Sequence, residues 1–294
     1  MRLYLTTFVA VIAWMTTSAA ADTLRVGVTL HPYYSWVRNI TAGTDVEVRS
    51  ILPGDVDAGA YQPSPDDIRK LADLDAIVVN GVGHDDFIEP MIEAAGNGDV
   101  IRIRPNQNTP LIQGVHGGAI NSHTFISFTN AIQQTYAIER ALGEMRPELR
   151  ATFRGNSRAY ARRLRRVKLR AAEALVEPKE AAVVTVHDGY SYLLQEFGIE
   201  LVGVVEPAHG LVPSATELRA VVELLKRENA RVVFTEERFP APLLAVLRES
   251  AECEIHVLSH VATGDYTDDK FEREMGENVD TLIRALAGTG AVAP

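Results

Sequence analysis

The chain is expected to be an α/β protein with two Rossmann-like lobes, mainly parallel sheets and a long rigid helix joining them. Three observations predict this. Short β-rich runs alternate with helical stretches along the whole length, four runs fall in each half, and a basic segment with no internal proline separates the halves.

Taken in order, the opening stretch carries one basic residue, Arg2, then an apolar run over 3–15 and the small residues Ser18, Ala19, Ala20 and Ala21. That layout predicts a cleavable signal peptide at 1–21, cut before Ala21 or Asp22. The run contains Thr6 and Thr7 and is shorter than the about 20 apolar residues of a membrane span. The alternative is a retained N-terminal anchor. The protein is therefore expected to be periplasmic, and with no cysteine after the run a lipid anchor of the usual bacterial kind is not expected.

Residues 22–146 are expected to form the N-terminal lobe, with strands over 23–30, 46–52, 76–80 and 100–103 and helices over 34–40, 65–72, 87–95 and 125–145. Residues 147–176 read as the linking helix, with a dense basic run over 158–170 and Gly155 as its one weak point. A solvated face explains that charge better than an anionic partner does. Residues 177–294 form the C-terminal lobe, with strands over 181–186, 200–205, 231–235 and 254–258 and helices over 190–197, 214–228, 241–250 and 268–286. Ser64 and Ser214 read as helix N-caps, because a hydroxyl followed by Asp66 and Asp67, or by Glu217, satisfies amides that the first turn leaves over.

With 46% hydrophobic residues each lobe can bury a core, and 39 acidic against 29 basic residues give a net charge of −10. That sign disfavours nucleic acid and anionic lipid as partners and raises the local cation concentration. The lone Cys253 cannot form an internal disulfide and reads as a small buried hydrophobe. A monomer is expected.

Ligands of open α/β sheets bind beyond the carboxyl ends of the strands. Histidines recur there: His31 after the first strand, His84 in the loop after the third, His187 at the end of the fifth and His260 after the eighth. His116 and His123 share a glycine-rich loop ahead of a long helix. Asp55 and Asp57 follow the second strand, and Glu236 and Glu237 the seventh. Imidazoles with one or two carboxylates suit zinc, and manganese or iron as oxygen donors increase. Any one of these residues alone reads as a hydrogen-bonded loop group; their coincidence at strand ends in both lobes points to a metal. His256 lies inside a strand and reads as structural, and His209 as a loop residue at the cleft rim. No nucleophile elbow, P-loop, zinc-protease helix or dinucleotide fingerprint is present, and the G-x-G at 81–83 reads as a turn.

Four segments carry a resemblance: YQPSPDDIRKLADLDAIVVNG at 61–81, SHTFIS at 122–127, VTVHDGYSYLLQEFGI at 184–199 and VVFTEERF at 232–239. They resemble the Y-E-P-T-P-x-D, D-P-H-x-W, H-D-A-F-x-Y-F-x-x-x-Y-G-I and V-F-x-E-x-x-F segments of the ZnuA/TroA-like zinc and manganese family, the metal-binding solute-binding proteins of ABC importers. The resemblance covers essentially the whole mature chain. It implies a metal held between two lobes, no catalysis, and the membrane permease of an ABC importer as partner. His123 and His187 match two family ligands, and the histidine at 187 resembles the zinc-binding members.

Two positions depart from the family. DAGAY at 57–61 puts Gly59 where a histidine is usual, and LSHV at 258–261 puts Ser259 where an aspartate is usual. A rebuilt site is expected: His31, His123, His187 and Glu236, with His84 and His260 in reserve, holding Zn2+, or alternatively Mn2+ or Fe2+. A rigid linking helix would limit hinge motion, metal loading would order the loop over 111–123, and acidification below about pH 6.5 would favour release because only neutral imidazole binds metal. Two other readings stay open. One is a binding protein for a chelated metal, siderophore-like or haem-like, using Tyr33, Tyr34, Trp36 and Tyr61 near Gly59. The other is a periplasmic metalloenzyme built on His187 and Asp188.

Overall fold

A computed structural model describes residues 23–287, apart from 57, 116, 118, 177–181 and 207–209. The expected signal peptide and the candidates Asp57, His116 and His209 lie outside the described residues.

Eight strands form among the described residues, each inside a predicted window. β1 (Arg25–Val28), β2 (Glu47–Ser50), β3 (Ala76–Val78) and β4 (Ile101–Ile103) make one sheet in the order β2-β1-β3-β4. β5 (Ala182–Thr185), β6 (Glu200–Val204), β7 (Val232–Thr235) and β8 (Glu254–Val257) make a second in the order β6-β5-β7-β8. Every pairing is parallel. Parallel sheets bury both faces, which is why Ala76, Ile77 and Val78, or Val232, Val233 and Phe234, run consecutively apolar and buried. In each sheet the strand order reverses beside the first strand, at β1/β3 and at β5/β7. Those are the switch points where a crevice opens at the carboxyl ends.

The helices are α1 (His31–Ile40), α2 (Pro65–Arg69), α3 (Ile88–Ala94), α4 (Phe128–Met145), α5 (Arg150–Ala174), α6 (Ser191–Glu196), α7 (Ala215–Arg227), α8 (Ala241–Ala251) and α9 (Lys270–Ala287). Both expected N-caps close full capping boxes, Ser64 with Asp67 and Ser214 with Glu217. The linking segment splits: a 3-10 turn at Pro147–Leu149 precedes α5, whose 25 residues run unbroken through Gly155. Helix α1 starts three residues earlier than its window, because Pro32 is compatible with a first helical turn, where a missing N–H costs nothing. His31 therefore sits in a helix rather than in a loop.

The lobes are not separate bodies. Helix α9 packs on both α1 and α5, and Trp36 meets Phe271 edge-on at 5.2 Å between ring centroids. Tyr33 and Trp36 are fully buried in this core, so they pack helix against helix and do not line a cleft. No described helix is long and apolar enough to cross a membrane.

Candidate metal centre

Among the described residues, ligand atoms of His123, His187 and His260 lie within 4.8 Å of one another, and all three side chains are buried. The Nε2 atoms of His123 and His187 are 3.0 Å apart. Nitrogens bound to one tetrahedral zinc at about 2.0–2.1 Å would sit roughly 3.3 Å from each other, so this pair is already near chelating distance. His84 stands against the same group, its ring centroid 4.9 Å from that of His123 and 6.0 Å from that of His260. Phe125 lies against His84, His123 and His260 and walls the group with an apolar ring.

Two of the imidazoles, those of His123 and His187, have a partner on their far side. The Asn121 Oδ1 accepts from the His123 backbone N–H at 2.9 Å and from Nδ1–H at 3.0 Å, which turns Nε2 toward the centre. Asn121 is itself held through Nδ2, which donates to the Asp188 carbonyl at 2.7 Å. His187 lies two residues past β5, and its Nδ1 is 3.3 Å from Oε2 of Glu206, which follows β6. The carboxylate can only accept, so a proton on Nδ1 suits this contact and leaves Nε2 facing His123. Such outer partners fix tautomer and ring orientation and raise ligand basicity.

His84 rides a loop wrapped around a buried acid. Asp85 accepts from Thr29 Oγ1 (2.7 Å), Asn80 N (2.6 Å) and Gly81 N (3.0 Å), and burial pushes its carboxyl above the usual range. Gly81 and Gly83 take φ of 70° and 103°, so the G-x-G fragment is a turn, as expected. His260 is held by a clamp on its neighbour: Asn278 donates to the Ser259 carbonyl at 2.8 Å and accepts from Ser259 N at 2.7 Å. The Ser259 hydroxyl donates to Glu274 at 2.5 Å and accepts from Val261 N at 3.0 Å. Val261, a β-branched residue, is forced to φ 58°, a strained setting that the clamp maintains. Gly189 makes room: a Cβ there would come within 2.8 Å of His187 Cδ2 and 2.9 Å of His260 Cδ2.

The other expected residues are placed as follows. His31 is not brought into the group. Its Nε2 lies 2.8 Å from the Gly264 carbonyl, to which it must donate, and its ring stacks on Tyr266 at 3.8 Å. Burial lowers its pKa to about 4. Glu236 and Glu237 line a cavity of about 600 Å³ beside His260, together with Glu206, Arg238 and Glu274. Asp55 is exposed, and its carbonyl accepts from Arg238. Gly59 lies in a 3-10 turn at Ala58–Ala60. His256 pairs with Glu254 at 3.2 Å at the sheet edge. Asp188 accepts from Val115 N at 2.8 Å and from the Ser191 hydroxyl, which makes it a loop anchor. Sequence reasoning missed Glu206, although a carboxylate two residues past β6 satisfies the same strand-end rule that nominated Glu236. Asn121 carried no signal beyond its proximity to His123.

The sequence matches the family described as zinc-uptake complex component A, periplasmic (ZnuA), over residues 26–285. Solved structures of the SBP FpvC from Pseudomonas aeruginosa are similar. Its Ni2+ complex is 38% identical with a TM-score of 0.86 over 93% of this chain and 100% of that one. Its Mn2+ complex is 39% identical with a TM-score of 0.86 over 92% and 100%. The zinc-binding lipoprotein AdcA of Streptococcus pneumoniae is 22% identical over 279 residues, which cover 90% of this chain and 56% of that protein. The chain thus spans little more than half of that longer relative. A match running from the first strand to the last helix, on a two-lobed frame with clustered histidines at its strand ends, places the chain in the ZnuA family of metal-binding solute-binding proteins.

Proposed function

We propose that the protein is a periplasmic solute-binding protein that captures a divalent transition metal, zinc before Mn2+ or Fe2+, and delivers it to the membrane permease of an ABC importer. The observation that carries the reading is the convergence of His123, His187 and His260 within 4.8 Å, with two of the rings backed by oxygen atoms, an amide oxygen behind His123 and a carboxylate behind His187. His84 completes the set by turning toward the ion, and the all-imidazole shell replaces the ligands that Gly59 and Ser259 lack. Borderline nitrogen donors suit zinc and nickel better than manganese, which favours oxygen. The relatives fit this range: FpvC was solved with Ni2+ and with Mn2+, and AdcA is named for zinc. Glu206, beside His187, and Glu236, in the cavity next to His260, offset the ion's charge. The protein works as a monomer, binds no nucleic acid and catalyses no reaction.

Elemental mass spectrometry on protein purified without a metal-affinity tag tests this. About one equivalent of zinc is expected, lost in His123→Ala and in His187→Ala. Wild-type protein that stays empty after incubation with zinc and manganese would sink the reading. A chelated metal is the second reading, favoured by the cavity of about 600 Å³ beside His260, a volume suited to a small organic ligand. A co-purified organic ligand would bring it forward.

A further inference from the structure

Helix α4 begins shortly after His123 and helix α6 shortly after His187, and one side chain ties the two helices together. Glu196, the last residue of α6, sends its carboxylate to the first turn of α4. Its Oε2 accepts from Phe128 N at 2.8 Å and from the Ser127 hydroxyl at 3.2 Å. Its Oε1 accepts from Thr129 N at 2.9 Å, from the Thr129 hydroxyl, and from Lys168 Nζ of α5 at 2.9 Å. Ser127 Oγ meanwhile accepts from Asn130 N at 3.2 Å, so the first three amides of α4 are all covered.

A helix usually draws its cap from its own preceding residue, because the leading amides need an acceptor and the dipole favours an anion there. Here two of the three amides are served from nearly 70 positions along the chain. The Glu196 side chain is only 5% exposed, and charge-assisted bonds of this kind are strong when shielded from water. The bond network therefore spans both lobes and the linking helix.

We infer that Glu196 is a positioning residue that sets the spacing of His123 and His187; this rests on the proposed metal-binding function. Four bonds from the first turn of α4, with Lys168 as a fifth donor, thus tie the segment after His123 to the helix after His187. The loops of His84 and His260 are held differently: Asp85 anchors the first within its own lobe, and Asn278 clamps Ser259 beside His260, while Gly264 farther along that segment bonds Gly54 of the other lobe. Half of the site is preset before metal arrives.

The test compares wild type with Glu196→Ala and Glu196→Gln as full mature chains. Zinc affinity is read by chelator competition, release by stopped flow, and the metal-free proteins by hydrogen exchange. Glu196→Ala is expected to bind zinc about tenfold more weakly and to release it faster, an effect of the size seen when a group orienting a metal ligand is lost. Glu196→Gln, which keeps an acceptor oxygen but not the charge, falls between. In the metal-free Ala variant, exchange should rise together in the 121–127 and 187–191 segments. If exchange rises only at the start of α4 and zinc affinity stays within about twofold of wild type, Glu196 is a cap and nothing more, and the inference is overturned. If wild type binds no zinc, the proposed function fails, and the exchange data alone decide the spacing claim by the same criterion. If the Ala variant does not fold, Glu196→Gln carries the test, and unchanged affinity with unchanged exchange at 187–191 overturns it.

Discussion

On one side of the histidine group the lobes are joined by side chains issuing from helices and loops: Glu196 onto α4, Lys168 onto Glu196, and Tyr192, whose hydroxyl donates to the Asn121 carbonyl at 2.9 Å. On the other side they meet largely through backbone. Gly264 N donates to the Gly54 carbonyl at 2.6 Å, His31 Nε2 to the Gly264 carbonyl, and Ser35 Oγ to the Thr267 carbonyl at 2.8 Å. The first seam is charged and runs behind His123 and His187. The second depends on two glycines in near contact and touches none of the clustered histidines. Two joints of similar reach can thus differ in what they control: one sets ligand spacing, the other holds the lobes closed.

The sharpest way to break that contrast is at Gly54, where a Cβ would lie 2.3 Å from the Gly264 carbonyl oxygen. Backbone on both sides leaves nothing flexible to yield. Gly54→Ala should lower unfolding free energy by about 2–3 kcal/mol while zinc affinity changes by less than about threefold. Urea titration and chelator competition check the two halves. A zinc loss as large as that from Glu196→Ala would show that the seams act on the site alike.

A smaller effect comes from His31, which belongs to the second seam. Its pKa is about 4 in the folded protein against 6.5 for the ordinary group. Between those values the unfolded chain binds a proton that the folded chain refuses, so stability falls as pH drops from 6.5 to about 4 and is fully present above 6.5. His31→Gln removes this titration and retains an amide donor for Gly264. Metal-free wild type should lose on the order of 2–3 kcal/mol more than the variant across that window. Parallel pH profiles in urea unfolding would contradict the assignment.

The same contrast explains what could be read in advance. Strands, helices and caps follow from local periodicity and from short motifs such as Ser64 with Asp67, and each of the eight strands lies within its expected window. Strand-end histidines were also legible, because the fold dictates where ligands sit. One residue after Ser259, where the family usually has an aspartate, His260 stands with His123 and His187, and the sequence displays it openly. Long-range partners were not legible. Nothing local marks Glu196 as different from a solvated helix glutamate, since its partners lie on a helix in the other lobe. His31 illustrates the converse error of inference: position after β1 suggested a ligand, but Pro32 draws it into α1, and Gly264, 233 positions away, takes its donor. Side-chain direction, unlike element order, is settled by contacts that a single sequence does not pair.

The most direct test of the account is anomalous diffraction at the zinc edge from crystals of the zinc-loaded protein. A single peak about 2.0–2.1 Å from Nε2 of His123, Nε2 of His187 and a ring nitrogen of His260 is the predicted result. A peak coordinated by His31, or by carboxylates without the three clustered histidines, would contradict it.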